Sequence, residues 1–293
     1  MSREKKFAAY NPIVCFVYFA GTIVISMLTM HPAVALFSLV MAALCYININ
    51  GRDAFKLIGI MLPIYALLAL ANPVFNTRGE TILFTYIGGR VFTLEALYYG
   101  IVLAAMFISV ILWFFAYHKV MTADKLLYIF GGLVPALGLA FSMIVRLVPY
   151  YGNHIKNISA ARKAMSCDGE KKTLEAANIM LAMLSWSLEE GIVASDSMKC
   201  RGYGCGKRSR FSVYSFKAGD ILLMLWMIVL IICIIICKAK KGLEAVFLPC
   251  INISGANNVY FVMGLTTIVL YFLTPILINV TEAVKWHFLK SRI

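Results

Sequence analysis

In the second half of the chain, Asp196-Ser197-Met198-Lys199-Cys200-Arg201-Gly202-Tyr203-Gly204 places a basic side chain directly before a glycine. A glycine just past a helix supplies the left-handed residue that ends it. Gly202 therefore reads as the first residue beyond a helix, and Gly169 as a weaker counterpart after an earlier helix. Arg201 then stands at the negative end of the helix dipole, where a cation stabilises a helix by about 0.3–1 kcal/mol. That role is structural. A functional one is added if the capped end holds the guanidinium outward in a fixed place, ready to take a partner's carboxylate bidentately.

Little else has the spacing of a reactive centre. Cys167, Cys200 and Cys205 match no zinc pattern and have no histidine nearby. Cys233 and Cys237 lie one turn apart in an apolar run, where cysteine behaves as a small hydrophobe. The four histidines, His31, His118, His154 and His287, are dispersed and read as loop or interfacial residues. Asp168, Glu170, Glu189, Glu190 and Asp196 form the one gathering of acids that could hold Mg²⁺. They are the basis of an alternative reading, an integral membrane enzyme acting on lipid headgroups, although acids beside basic residues on helices are usually solvated. No phosphate-binding loop of the G-x-x-x-x-G-K-[ST] type occurs, so the chain is not expected to hydrolyse ATP, and neither a cofactor nor a metal is expected. Glu95 and Asp220 fall at the ends of apolar runs, Asp220 as a helix-start residue. With the runs otherwise nearly free of carboxylates, an ion-coupled carrier is disfavoured.

The elements that carry these residues are membrane helices. Of 293 residues, 61% are apolar and only 14% charged, and mean hydropathy is +0.84. A soluble domain carries about 25% charged residues. Lipid requires every backbone polar group to be bonded within its own segment, which leaves an all-α bundle as the economical fold. Six runs read as spans: about 13–30, 33–49, 57–71, 95–117, 220–237 and 259–281. Turn chemistry separates them at Met30-His31-Pro32, at Asn50-Gly51-Arg52-Asp53, and from Asn72-Pro73 through Gly88-Gly89. The basic start, MSREKK, leads into an apolar run with no small-residue cleavage site and reads as a retained first helix, not a signal peptide.

A seventh apolar run, Leu126 to Val145, is long enough to span but is interrupted by Gly131, Gly132, Pro135 and Gly138. Charge decides between the readings, because cytoplasmic loops collect Lys and Arg. With six spans and the amino terminus inside, 22 of the 27 basic residues are cytoplasmic; a seventh span lowers this to 17 at best. The chain thus divides into amino-terminal spans (1–118), a basic cytoplasmic coupling segment with two long helices (119–217), and carboxyl-terminal spans (218–293). Segments 126–149 and 174–188 then become oily helices on the cytoplasmic side. The second, with Met180, Met183, Leu184 and Trp186, is too short to cross. A helix apolar all round needs cover from protein or from the membrane boundary, and Met-rich surfaces suit adaptable partners. The net charge of +13 sits largely beside membrane segments, so membrane lipids and protein partners, not nucleic acid, account for it.

Taken jointly, several strings resemble the transmembrane T component of energy-coupling factor (ECF) transporters, a family that includes the membrane subunits of cobalt and nickel uptake systems. They are Asn11-Pro12, His31-Pro32, Arg78-Gly79-Glu80, Thr122-Ala123-Asp124-Lys125, Arg146-Leu147-Val148-Pro149 and, above all, Asp196 through Gly204, over roughly residues 10–237. The last is similar to the family's second Ala-Arg-Gly signature, with Cys200 in the alanine place. The resemblance implies a scaffold in the bacterial or archaeal inner membrane for uptake of a vitamin or metal ion, and the charge count puts both termini on the cytoplasmic side. Two long crossed helices would end in signatures that dock two ABC-type ATPase subunits, and their apolar faces would hold a small substrate-binding membrane subunit. Cys200, Arg201 and Gly202 match the second signature. The first falls on Ala164, Met165 and Ser166, with methionine in place of the family's arginine, so Arg162, Lys163 or an apolar contact of Met165 stands in for the salt bridge. Arg146, Arg162 and Asp196 are expected to support docking, and Met180, Met183, Leu184 and Trp186 to contact the substrate-binding subunit.

Overall fold

The computed structural model describes residues 7, 10–76, 79, 81–86, 90–133, 135–165, 172–206, 214–240, 242–243, 245–246, 252–253 and 259–290. In chain order the elements are α1 (Pro12–Leu28), α2 (Pro32–Asn50), α3 (Asp53–Phe75), β1 (Ile82–Tyr86), β2 (Arg90–Thr93) and α4 (Leu94–Val120). There follow α5 (Ala123–Leu133), α6 (Pro135–Met165), α7 (Lys172–Cys200), α8 (Ala218–Ala239), β3 (Ala245–Val246), β4 (Asn252–Ile253) and α9 (Val259–Lys290). The protein is an all-α, multi-pass membrane protein. Among the described residues, five helices are long and apolar enough to cross a bilayer and α1 is a shorter apolar sixth. Its 17 residues lie at the lower limit of about 17–25 for a span. Among the described residues, strands occur only as two small antiparallel pairs, β1 with β2 and β3 with β4.

Local chemistry explains the helix starts. Asn11 accepts the Ile13 N–H at 3.1 Å, His31 Nδ1 accepts the Ala33 N–H at 3.3 Å, and each cap precedes a proline at the first helical position. Asp220 accepts the Lys217 N–H at 3.0 Å, as a helix-start carboxylate should, and also the Asn11 N–H at 3.4 Å. It thereby ties the start of α8 to the start of α1 across 209 positions of sequence.

The chain divides into two compact units, Met1–Leu126 with Tyr214–Ile293, and Leu127–Val213. The first holds the six apolar helices, and α4 is its hub, packing on α1, α2 and α3. Its fully buried Trp113 lies against Tyr18, Phe19 and Phe272, with ring centroids 5.6–6.4 Å apart. Trp113 Nε1 donates to Ser38 Oγ at 3.3 Å, and Ser38 shares a second bond with Ser26 at 2.9 Å. Tyr271 donates to the Tyr18 carbonyl at 3.2 Å and Tyr18 to the Phe272 carbonyl at 3.2 Å, locking α9 to α1.

These contacts sort the helix ends. The starts of α1 and α8 meet through Asp220, and Phe7 N–H donates to Asn279 near the far end of α9. At the opposite end Lys238 donates to the Leu28 carbonyl at 2.6 Å, and His31 lies 4.8 Å from Phe261. The six helices therefore alternate in direction. Residues 7, 120–126, 214–220 and 279 share one end of the bundle, the parity the charge count anticipates.

Two expectations about boundaries are corrected. Asn72-Pro73, read as a break, lies inside the last turn of α3, which runs to Phe75. Pro73 has no N–H for the Ala69 carbonyl, and Gly100 of α4 is set against that freed oxygen. A Cβ at Gly100 would stand 2.5 Å from it and 2.9 Å from Asn72 Cβ. The stretch from Asn72 through Gly89, read only as turn chemistry, contains β1 and leads into β2, and Glu95 anchors the pair. Its buried carboxylate accepts the Thr81 hydroxyl at 2.7 Å and the Thr81 N–H at 3.2 Å.

Gly100→Ala must push α3 away from α4, and overpacking of this kind costs about 1–3 kcal/mol. The melting temperature of the detergent-solubilised protein should fall clearly. In Gly191→Ala the added methyl meets open space, and the temperature should hold or rise.

Candidate functional site: the tips and faces of the long helices

The second unit consists of the end of α5 with α6 and α7. The described residues of the seventh apolar run lie in α5, to Leu133, and α6, from Pro135. Gly138 then comes so close to Gly131 that a Cβ on it would lie 2.6 Å from the Gly131 Cα. Helices α6 and α7 contain 31 and 29 residues, about 45 Å each at about 1.5 Å per residue. Pro149 lies within α6, and in the turn after it Tyr150, Tyr151 and His154 gather round Trp186, at the midpoint of α7. His154 stacks on Trp186 at 3.7 Å and 20°, with Tyr151 edge-on at 5.3 Å and Tyr150 at 5.5 Å. The aromatic contact between the two helices thus lies at mid-length.

The end of α7 is built from hydrogen bonds that name its cap. Gly202 has φ +81°, in the left-handed region. Its N–H donates to the Lys199 carbonyl at 2.9 Å, and the Tyr203 N–H donates to the Met198 carbonyl at 3.1 Å. These are the paired 5→2 and 6→1 bonds of a Schellman cap with Gly202 at C′, the place the sequence assigns it. Gly204, φ +91°, adds a second left-handed residue, and the Cys205 N–H returns to the Gly202 carbonyl at 3.2 Å. The chain is therefore folded sharply back beyond the helix.

Arg201, held between helix and cap, is exposed, and its guanidinium pairs with none of the described carboxylates. Asp196, one turn earlier, is committed to Lys199 at 3.4 Å on the surface, a pair worth about 0–1 kcal/mol. Cys200 is exposed beside Arg201.

The end of α6 presents Ala164 and Met165, the latter 76% exposed, with Arg162 half-buried behind them. Ser166, Gly169, Asp168, Glu170 and Cys167 lie outside the described residues. Arg146 is exposed in the amino-terminal half of α6. Of the four residues expected to contact a substrate-binding subunit, Met180 is 71% and Leu184 56% exposed, and Met183 is half-buried. Trp186 is half-buried and engaged with α6, so it serves the crossing. The apolar helices do not cover one another. Val148, Leu181, Leu188 and Ile192 also stand in the open. His154 and the two tyrosines were missed by sequence reasoning, and their 150, 151, 154 spacing on one helical face was the available signal.

Comparison with models of protein families finds no match, and neither does comparison with curated proteins.

Gly202→Val forces a β-branched residue into the left-handed region, which costs an L-residue about 1–2 kcal/mol. Hydrogen–deuterium exchange should quicken at the amides of residues 202 and 203, whose acceptors lie in the last turn of α7, while protection around Trp186 is kept.

Proposed function

We propose that this chain is the membrane scaffold of an ECF-type ABC importer, carrying motion from two cytoplasmic ATPase subunits to a small substrate-binding membrane subunit. The observation that carries this reading is the tip of α7. A guanidinium with no described intramolecular partner stands on a rigid Schellman-capped helix end, where a carboxylate of another protein can reach it. Two long helices meeting at their midpoints, each with its tip exposed, support a pair of docking points. The uncovered faces around Met180 and Leu184 support a hydrophobic partner. On this reading the bundle end that holds residues 120–126 and 214–220 faces the cytoplasm of a bacterial or archaeal cell. The chain hydrolyses nothing itself, and the cargo, a vitamin or metal ion, belongs to the substrate-binding subunit. Because the two tips differ, Met165 at one and Arg201 at the other, two unlike ATPases suit them better than two identical ones.

Truncating one partner of a buried charged pair costs about 2–5 kcal/mol. Arg201→Ala should therefore greatly reduce recovery of the ATPases when the tagged chain is purified from its native membrane, and Met165→Ala should reduce it less. Full recovery with Arg201→Ala would refute docking through this tip. A cysteine placed at Lys171 should react with a membrane-impermeant maleimide only after the cells are opened; reaction in intact cells would reverse the orientation.

A further inference from the structure

An open groove of about 550 Å³ runs between α8 and α9, and its walls include Tyr10, Gly219, Leu223, Trp226, Leu270 and Ile278. All of them belong to the membrane unit. Two residues keep it open. Gly219 leaves the mouth unfilled, since a Cβ there would meet nothing within 4 Å. Pro275, inside α9 between the lining residues Thr274 and Leu277, withholds a donor from the Tyr271 carbonyl at a position where helices bend. The interior offers a solute almost nothing polar. The Thr274 hydroxyl is spent on the Leu270 carbonyl at 3.0 Å, and Tyr10 lies at the mouth.

Three features identify an occupant. The wall on α8 extends from Gly219 to Val229, about 15 Å along the axis at about 1.5 Å per residue, which is half of a hydrocarbon core about 30 Å thick. A partner helix would seek contact across the whole membrane, whereas one lipid chain reaches only to the midplane. The mouth lies at the bundle end where α1 and α8 begin, at the headgroup level of one leaflet. Lys217, exposed, stands two residues before Gly219, and Asp220, the acid of the same helix start, is buried and bonded to the Asn11 and Lys217 N–H groups. Basic residues beside a membrane helix attract anionic headgroups by about 1 kcal/mol each. We propose that the groove between α8 and α9 holds one acyl chain of an anionic glycerophospholipid, with its headgroup at Lys217. This holds whichever proteins the chain assembles with.

Trp226 reports on the occupant directly, because bromine on an acyl chain quenches indole fluorescence on contact. The full-length chain is placed in phosphatidylcholine vesicles containing a minority of chain-brominated phosphatidylglycerol or chain-brominated phosphatidylcholine. The difference between the wild-type chain and Trp226→Phe isolates this indole. Brominated phosphatidylglycerol should quench it several-fold more than brominated phosphatidylcholine. Gly219→Phe, which fills the mouth, and Leu277→Phe, which fills the opposite wall, should each remove that excess, and Lys217→Gln should shrink it. Equal quenching by the two lipids would mean bulk lipid only. An excess that survives both fillers would place the lipid elsewhere. Either result overturns the proposal.

Discussion

Helices already immersed in lipid gain little from hiding apolar surface from one another, so their association depends on how closely their backbones approach. In this protein that constraint falls on α4. Its buried positions include Ala96, Gly100, Ala104, Ala105, Ser109 and Ala116, small residues that let α1, α2 and α3 close on it. The largest of its buried side chains, Trp113, occupies the centre of the bundle, where Tyr18, Phe19 and Phe272 surround its ring and Ser38 takes its N–H. Gly100 against the Ala69 carbonyl is the tightest example, and it exists because Pro73 left that carbonyl without its helical donor.

The second unit is organised differently. Helices α6 and α7 touch through an aromatic knot at mid-length and leave much apolar surface uncovered. A single crossing fixed by the stack of His154 on Trp186 leaves the ends of both helices outside that contact, and the Schellman cap fixes the geometry of one of those ends. Rigid tips on helices joined by a compact crossing suit transmission of a push from one site to another. The proposed scaffold role rests on this arrangement, and so does the exposure of Met165 and Arg201 at the two ends.

Much of this was legible in the chain because it is written locally. Uninterrupted apolar runs define the spans. Asn11-Pro12 and His31-Pro32 start helices within one turn of themselves, Asp220 caps its own helix, and Gly202 ends α7 through bonds reaching only three and five residues back. The proline at 73 misled for an equally physical reason. It was read as a helix stop, yet a proline in the final turn of a membrane helix is tolerated when a neighbour such as Gly100 closes over the freed carbonyl. The β1–β2 hairpin went unread because its anchor, Glu95, looked like an ordinary acid at the end of an apolar run.

What the sequence determined by itself is therefore the number of apolar helices, their alternating direction, and the place of the α7 cap. All of these follow from hydropathy, charge asymmetry and hydrogen bonds between residues a turn apart. Only the tertiary structure decided that α4 is the hub, that Asp220 joins α8 to α1, that Trp186 meets His154 and so turns inward, and that α8 and α9, packed on each other, leave a groove between them. Each of those outcomes is a pairing of residues far apart in the chain. Such a pairing depends on which surfaces fit closely, and neither partner's neighbours in sequence carry that information.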